Sequence, residues 1–306
     1  MDMKKIGIPL IIFTAVVSGI SIFINSYGVK GFDSSVFTFS KNILVALILF
    51  AAIFAVGQWK KLKELNKKQW LQLSVIGLVG GSVPFLMFFK GLQMTSGATG
   101  GFIHKLLFVF VLIFAGLMLK ERPTKGLLAG AILIIGGTYL MLRPDFSFQT
   151  GHLLMLGATV LWALENVLAK RAVKNISGTV VAWGRMGIGS LFIFVFLLLT
   201  GKSSIVWSMT FQQYMWIIVT SAFLFLYVLS FYNALATVKV TTATMLLSIS
   251  APITTAMNYI IKGSILSSYE AFGMLFILLG AVVVISYSWI LQQVSKVLMV
   301  VRDGRD

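Results

Sequence analysis

Cysteine is absent from this sequence, which excludes disulfides and thiolate metal sites. Histidine occurs twice, at His104 and His152, and acidic residues only nine times. No apolar run holds a pair of acids, so neither a metal centre nor the paired acid–base groups of a membrane hydrolase can be assembled. No cofactor, no metal and no catalytic residue is expected. Charge as a whole is scarce: 11% of 306 residues, against 58% hydrophobic, with a mean hydropathy of +0.96. A soluble chain of this size could not cover so much apolar surface with so few charges, so this is an integral membrane protein.

What is present is a series of apolar runs, each long enough for a spanning helix. They lie near 6–27, 35–56, 70–91, 96–119, 125–142, 152–170, 179–200, 212–235, 241–262 and 269–291. The fold class is therefore all-α, with ten transmembrane helices, no soluble domain, and a short polar tail over 292–306. The first run, from Ile6, continues to Tyr27 without a small-residue cleavage motif and reads as a retained span.

The net charge of +16 invites a nucleic-acid reading, but the basic residues sit between apolar runs, where topology explains them. One side of the membrane receives seventeen, in groups around Lys4, Lys60–Lys68, Lys120–Lys125, Lys170–Lys174, Lys239 and Lys296–Arg305. The other receives Lys30, Lys90, Arg143, Lys202 and Lys262. The excess places both termini in the cytoplasm. Trp59, Trp70, Trp207 and Trp289 fall near span ends, as interfacial anchors do.

The chain is also duplicated. Val29–Ile43 aligns without gaps on Val173–Gly187, setting Lys41 on Arg185 and Lys30 on Lys174; Met94–Thr99 aligns on Lys239–Thr244. Gly130 and Gly137 fall opposite Gly273 and Gly280. The units are 1–145 and 146–291, five helices each. Five is odd, so the second copy enters the membrane inverted, a plan that puts a transporter's site near the midplane between the repeats.

Glu165 is the one acid placed within a span. If the turn after it centres near Asn175, Glu165 and Arg185 each lie ten residues from that turn, at a shared depth of roughly 15 Å on antiparallel helices. A charge in hydrocarbon costs at least about 2.5–3.5 kcal/mol, so such groups pair or line a polar cavity. The pair reads either as one wall of a substrate pathway or as a brace between two helices. Lys105 and Lys41 add two more embedded cations. Three cations against one acid suit an anionic ligand such as a carboxylate or phosphate, whereas a Lys105–Glu165 or Lys41–polar brace is the plainer alternative. His104 adjoins Lys105 about 100° round the helix and is a further site candidate or a packing histidine. Trp162 and Asn166, four apart on one face, together with Tyr227 and Asn258, are candidate binding residues; Asn233 and Tyr259 are weaker ones. Glu165 is the candidate for proton coupling, with burial and Arg185 acting on its proton affinity in opposite senses. Pro84 and Pro252, inside spans, are candidate hinges or static kinks. Gly97-xxx-Gly101 and Gly126-xxx-Gly130 allow close intramolecular helix approach. GRMGIGS at 184–190 lies in a span with no strand before it and is not a nucleotide loop.

In Gly91–Gly137, Thr159–Val173 and Phe231–Met257 the chain resembles the drug/metabolite transporter superfamily in its ten-helix EamA-type form. The resemblance covers nearly the whole chain. It implies a carrier of the cell (inner) membrane for small metabolites, often an exporter, whose central cavity is lined by helices one, three, four, six, eight and nine. The usual helix-four proline is Leu107 here, although its counterpart Pro252 is present. Glu121 at the end of helix four is matched by Ser264, and His104-Lys105 stand where most members are neutral. The expected function is alternating-access secondary transport of a small-molecule metabolite with an anionic group, amino acids or related carboxylates first, with Glu165 coupling protons. A passive facilitator and a carrier of phosphorylated or nucleotide-type metabolites are the alternatives. The expected partners are this metabolite and membrane lipid, without nucleic acid; monomer and dimer stay open.

Overall fold

The computed structural model describes residues 3–28, 31–95, 97–144 and 149–303, and all regular structure among them is helical. Among the described residues ten helices are long and apolar enough to cross a membrane: Ile6–Asn25, Ser34–Ala55, Lys67–Gln93, Ala98–Leu119, Lys125–Leu142, Thr150–Ala172, Gly178–Leu199, Phe211–Leu235, Val240–Lys262 and Ser268–Tyr287, spans 1 to 10. Lipid offers the backbone no hydrogen bonds, so an apolar run of this length must satisfy its own as a helix. The last helix continues unbroken to Asp303, so most of the stretch read as a polar tail prolongs span 10. Lys30 and Arg305, counted in the charge asymmetry, lie outside the described residues.

Polar caps fix where several helices begin. Asp33 accepts hydrogen bonds from the Ser35 and Val36 amides before span 2. Asn66 with Gln69 and Thr210 with Gln213 form reciprocal capping boxes before spans 3 and 8, at positions 144 apart. At the other end of span 9, Gly263 adopts φ +65°, a left-handed closure that glycine tolerates.

Packing follows the duplication. Span 5 lies along span 10, span 1 against spans 8 and 9, and span 6 against spans 3 and 4; span 7 contacts spans 2 and 3. Repeat-related glycines close the seam between spans 5 and 10. A Cβ on Gly130 would come 2.9 Å from the Gly280 carbonyl oxygen, and one on Gly137 2.6 Å from that of Gly273. Because Gly130 matches Gly273 and Gly137 matches Gly280, the two contacts map onto each other under repeat exchange, as a pseudo-two-fold axis through the seam requires. Gly126 packs on the Tyr287 ring, so this small-residue motif acts within the chain.

Spans 4 and 9 both break in their middles. The first changes pitch at Leu106, whose amide is shared between the Phe102 and Ile103 carbonyls. The second passes through a 3-10 turn at Leu247–Ile249. Span 4 breaks although Leu107 has replaced the proline. The largest apolar cluster fills the half of the bundle nearer the basic loops, around Leu49, Leu73, Val167, Val181, Leu235 and Leu246. The opposite half holds two smaller clusters, around Val36 and Ile193 and around Met141 and Ile277.

Candidate functional site

The site is organised by an interruption in span 3, which divides into Lys67–Gly81 and Val83–Gln93 at Ser82 (φ −134°, ψ −77°). Pro84 has no N–H for the Gly80 carbonyl, and the Phe85 amide bonds Ser82 instead of Gly81. Neighbouring helices satisfy both freed carbonyls: Trp162 Nε1 donates to Gly80 at 3.0 Å and Asn42 Nδ2 to Gly81 at 3.0 Å. The break thus locks span 3 to spans 6 and 2. Close approach demands glycine at both positions, since a Cβ on Gly80 would lie 2.2 Å from Glu165 Cγ and one on Gly81 2.0 Å from the Arg185 carbonyl oxygen.

Against this break sits the charged pair anticipated from the hairpin. Glu165 is buried, with Oε2 3.8 Å from Arg185 Nε and Oε1 accepting a 2.6 Å bond from the Tyr232 hydroxyl. Arg185, also buried, makes no hydrogen bond among the described residues, and its Nε is enclosed without a partner. Its guanidinium lies 5.5 Å from the centre of the Phe85 ring. A planar fork of N–H donors is therefore held by a charge on one side and an aromatic face on another, with its buried Nε lacking a hydrogen-bond partner among the described residues.

An aromatic wall extends from there. Phe85 and Phe88 pack on Trp162 at 5.1 and 5.3 Å, and Trp162 meets the His104 ring edge-on at 5.0 Å. His104 Nδ1 is enclosed without a partner. Lys105, partly accessible, points to the other side of span 4 and donates to Ser250 Oγ at 2.6 Å. Neither this lysine nor Lys41 forms an ion pair among the described residues. Lys105 and Ser250 are 145 positions apart, the repeat offset of spans 4 and 9, so two equivalent residues touch and must flank the pseudo-two-fold axis.

Lys41 takes the place of Arg185 in the first repeat. It donates to Asn25 Oδ1 at 2.9 Å and lies 4.8 Å from the Phe37 ring centre, while Asn25 Nδ2 bonds Ser21 Oγ at 3.0 Å. Ser21 is the counterpart of Glu165 at the same offset of 144. Each half therefore sets a cation on its second helix against a polar residue on its first, and only the second half supplies a negative charge.

The structure brings together Glu165, Arg185, Trp162 and His104, with Tyr227 stacked on Phe231 beside Tyr232. It does not form the Lys105–Glu165 brace, because Tyr232 and Arg185 occupy that carboxylate and Lys105 turns to Ser250. Asn166 bonds the Trp162 carbonyl of its own helix, and Asn258 that of Thr254. Asn233 reaches Thr179 and Tyr259 is exposed, so both leave the candidate set. Residues missed in the sequence are Tyr232, Phe85, Ser250 and the Gly80 carbonyl; the repeat offset that aligned spans 4 and 9 already paired Lys105 with Ser250.

Ten crossing helices in two inverted, interlocked halves, with ionised groups buried where they meet, are the architecture of a membrane carrier. The chain matches the EamA-like transporter family over residues 5–143 and again over 149–286, and it belongs to that family. It is 32% identical over 95 residues to an uncharacterized transporter in the cobO 3' region of a Sinorhizobium species, covering 31% of this chain and 67% of that one. A solved protein crystal structure superposes with a TM-score of 0.76 over 90% of this chain and 96% of its own, at 18% identity; it shares the fold. The protein is a multi-pass membrane transporter and not, by family, an enzyme.

Proposed function

We propose that the protein is a secondary transporter for a small metabolite bearing a carboxylate, amino acids and related acids before others, working by alternating access. The observation that carries this reading is Arg185, a buried residue whose guanidinium Nε has no hydrogen-bond partner among the described residues. Leaving charged donors unmade is expensive, and a carboxylate is the planar acceptor that a guanidinium fork fits in two parallel bonds. Phe85 and Trp162 supply an apolar wall for the rest of the ligand. Lys105 and Lys41 keep the interior cationic, which disfavours cationic drugs as cargo.

Glu165 is the proton-coupling group in this reading, because protonation would release Arg185 for an incoming anion and deprotonation would compete with it. Pro84 and Pro252 stand beside the span 3 break and the span 9 turn, where rocking of one half against the other would be absorbed. Continuous packing in the half nearer the basic loops, against two small clusters in the other, supports a conformer sealed on the basic side. We take that side as cytoplasmic, with both termini there, from the charge asymmetry.

The test is uptake of radiolabelled amino acids and dicarboxylates into proteoliposomes, with and without a pH gradient. Saturable flux that Arg185→Ala abolishes, and that Glu165→Gln uncouples from the gradient while sparing exchange, is expected. No flux for any carboxylate, or full activity in Arg185→Ala, refutes the reading.

A further inference from the structure

Two depressions merge at the basic end of the bundle, between the start of span 3 and the end of span 6. The outer one, a cleft of about 700 Å³, is lined by Lys68, Arg171 and Lys174 with the amide side chains of Asn66, Gln69 and Gln72. The inner one, about 240 Å³, shares Lys68, Gln72 and Arg171 and continues along Leu71, Val75, Ile76 and Leu168. No acidic residue lines either, and none of the three cations forms an ion pair among the described residues. Leu71 is 64% and Val75 39% exposed, so the apolar part opens sideways from the bundle.

The order of these groups along the helix matters. Lys68 is the second residue of span 3 and Val75 lies seven residues further in, about 10 Å deeper at 1.5 Å per residue. Charge thus sits at headgroup depth with an apolar channel leading from it into the acyl region, the arrangement expected of a basic pocket for an acidic headgroup. A small soluble anion would use the mouth and leave the channel unexplained.

The repeats provide an internal comparison. At the opposite end of the bundle, 144 positions away, the same construction recurs: Thr210 and Gln213 cap span 8 as Asn66 and Gln69 cap span 3. Gln213 Nε2 bonds the Gly31 carbonyl at 3.1 Å as Gln69 Nε2 bonds that of Asn175 at 3.4 Å. Two of the three cations do not recur. Gln212 stands for Lys68, Tyr27 for Arg171 and Trp216 for Gln72, while Lys30, the counterpart of Lys174, lies outside the described residues. The caps are kept at both ends, whereas Lys68 and Arg171 belong to this end alone.

We propose that the groove between spans 3 and 6 is a binding site for an anionic phospholipid, with its phosphodiester among Lys68, Arg171 and Lys174 and one acyl chain along Leu71, Val75 and Leu168. The full-length protein, delipidated in detergent, is examined by native mass spectrometry with dioleoyl phosphatidylglycerol and phosphatidylcholine. The wild type should retain the anionic lipid about tenfold better. Lys68→Gln with Arg171→Gln should remove that preference, whereas Lys60→Gln with Lys61→Gln, the same charge lost from the exposed loop at the same end, should keep it. In the wild type alone, a photoactivatable phosphatidylglycerol should crosslink within residues 66–76 and 168–175. Equal retention of both lipids, equal effects of the two charge-removing pairs, or crosslinks elsewhere would overturn the proposal. Competition by millimolar inorganic phosphate as strong as that by lipid would also overturn it, making a soluble anion the occupant.

Discussion

Truncating Arg185 to alanine leaves the Glu165 carboxylate buried with one hydroxyl and no counter-charge. At 3.8 Å and an effective dielectric of about 20, their attraction is about 4 kcal/mol, and losing one partner of a buried pair costs about 3–5 kcal/mol. Neutralising Glu165 as well removes that penalty, since the amide oxygen that Glu165→Gln introduces still accepts from Tyr232. Stability should therefore fall sharply in Arg185→Ala, and also in Glu165→Gln, which strands the guanidinium in turn, and should recover in the double variant, which buries neither charge. A brace between helices predicts that function returns with stability. A ligand-binding arginine predicts that it does not, because two charge-assisted hydrogen bonds at about 1.5–3 kcal/mol each are still missing. The assay is thermal unfolding in detergent across a series of carboxylate concentrations. Glu165→Gln should show a ligand-induced rise in melting temperature, and the double variant should need at least about tenfold more ligand to match it. Equal responses from the two proteins would refute a ligand-binding role and leave Arg185 as a brace.

Trp162→Phe should cost about 1–3 kcal/mol by stranding the Gly80 carbonyl, and adding Pro84→Ala should recover part of it by restoring a backbone donor, read as melting temperature. Gly81→Ala forces a Cβ against a backbone oxygen that cannot rotate away and should destabilise by about 1–3 kcal/mol or more, whereas Gly136→Ala, with open space around it, should be neutral in the same measurement. Outside the spans, burial pushes the Asp33 carboxyl up, but the Lys202 ammonium at 2.6 Å, the Ser35 hydroxyl and two backbone amides outweigh it and hold it below the usual carboxylate range. The Lys202 link should therefore stabilise fully above the ordinary carboxylate pKa of about 4 and fade as pH falls through the lower folded value. The melting difference between wild type and Lys202→Met should close on acidification; a difference independent of pH would contradict it.

The span positions were legible because lipid imposes one rule on every helix: a long apolar run with polar ends. The depth match of Glu165 and Arg185 was legible because a short turn and a constant rise leave no freedom. The repeat offset made Ser250 the counterpart of Lys105, but not its contact, since helix rotation decides which face a mid-span residue presents, and only packing sets rotation. Tyr232 escaped for a related reason: among eight tyrosines, burial beside a carboxylate leaves no mark on local sequence. The break at Leu106 left no mark in the sequence, since Leu107 keeps its N–H and the pitch change rests on packing and not on a missing donor.

Lys105 touching Ser250 has a consequence for how such a chain can vary. A residue that meets its own counterpart cannot be charged in both halves without setting like charges in contact inside oil. A symmetric pair of half-length chains would be barred from lysine there. Joining the halves in one polypeptide lifted that bar, allowing one copy to carry the ammonium while the other kept a hydroxyl to receive it.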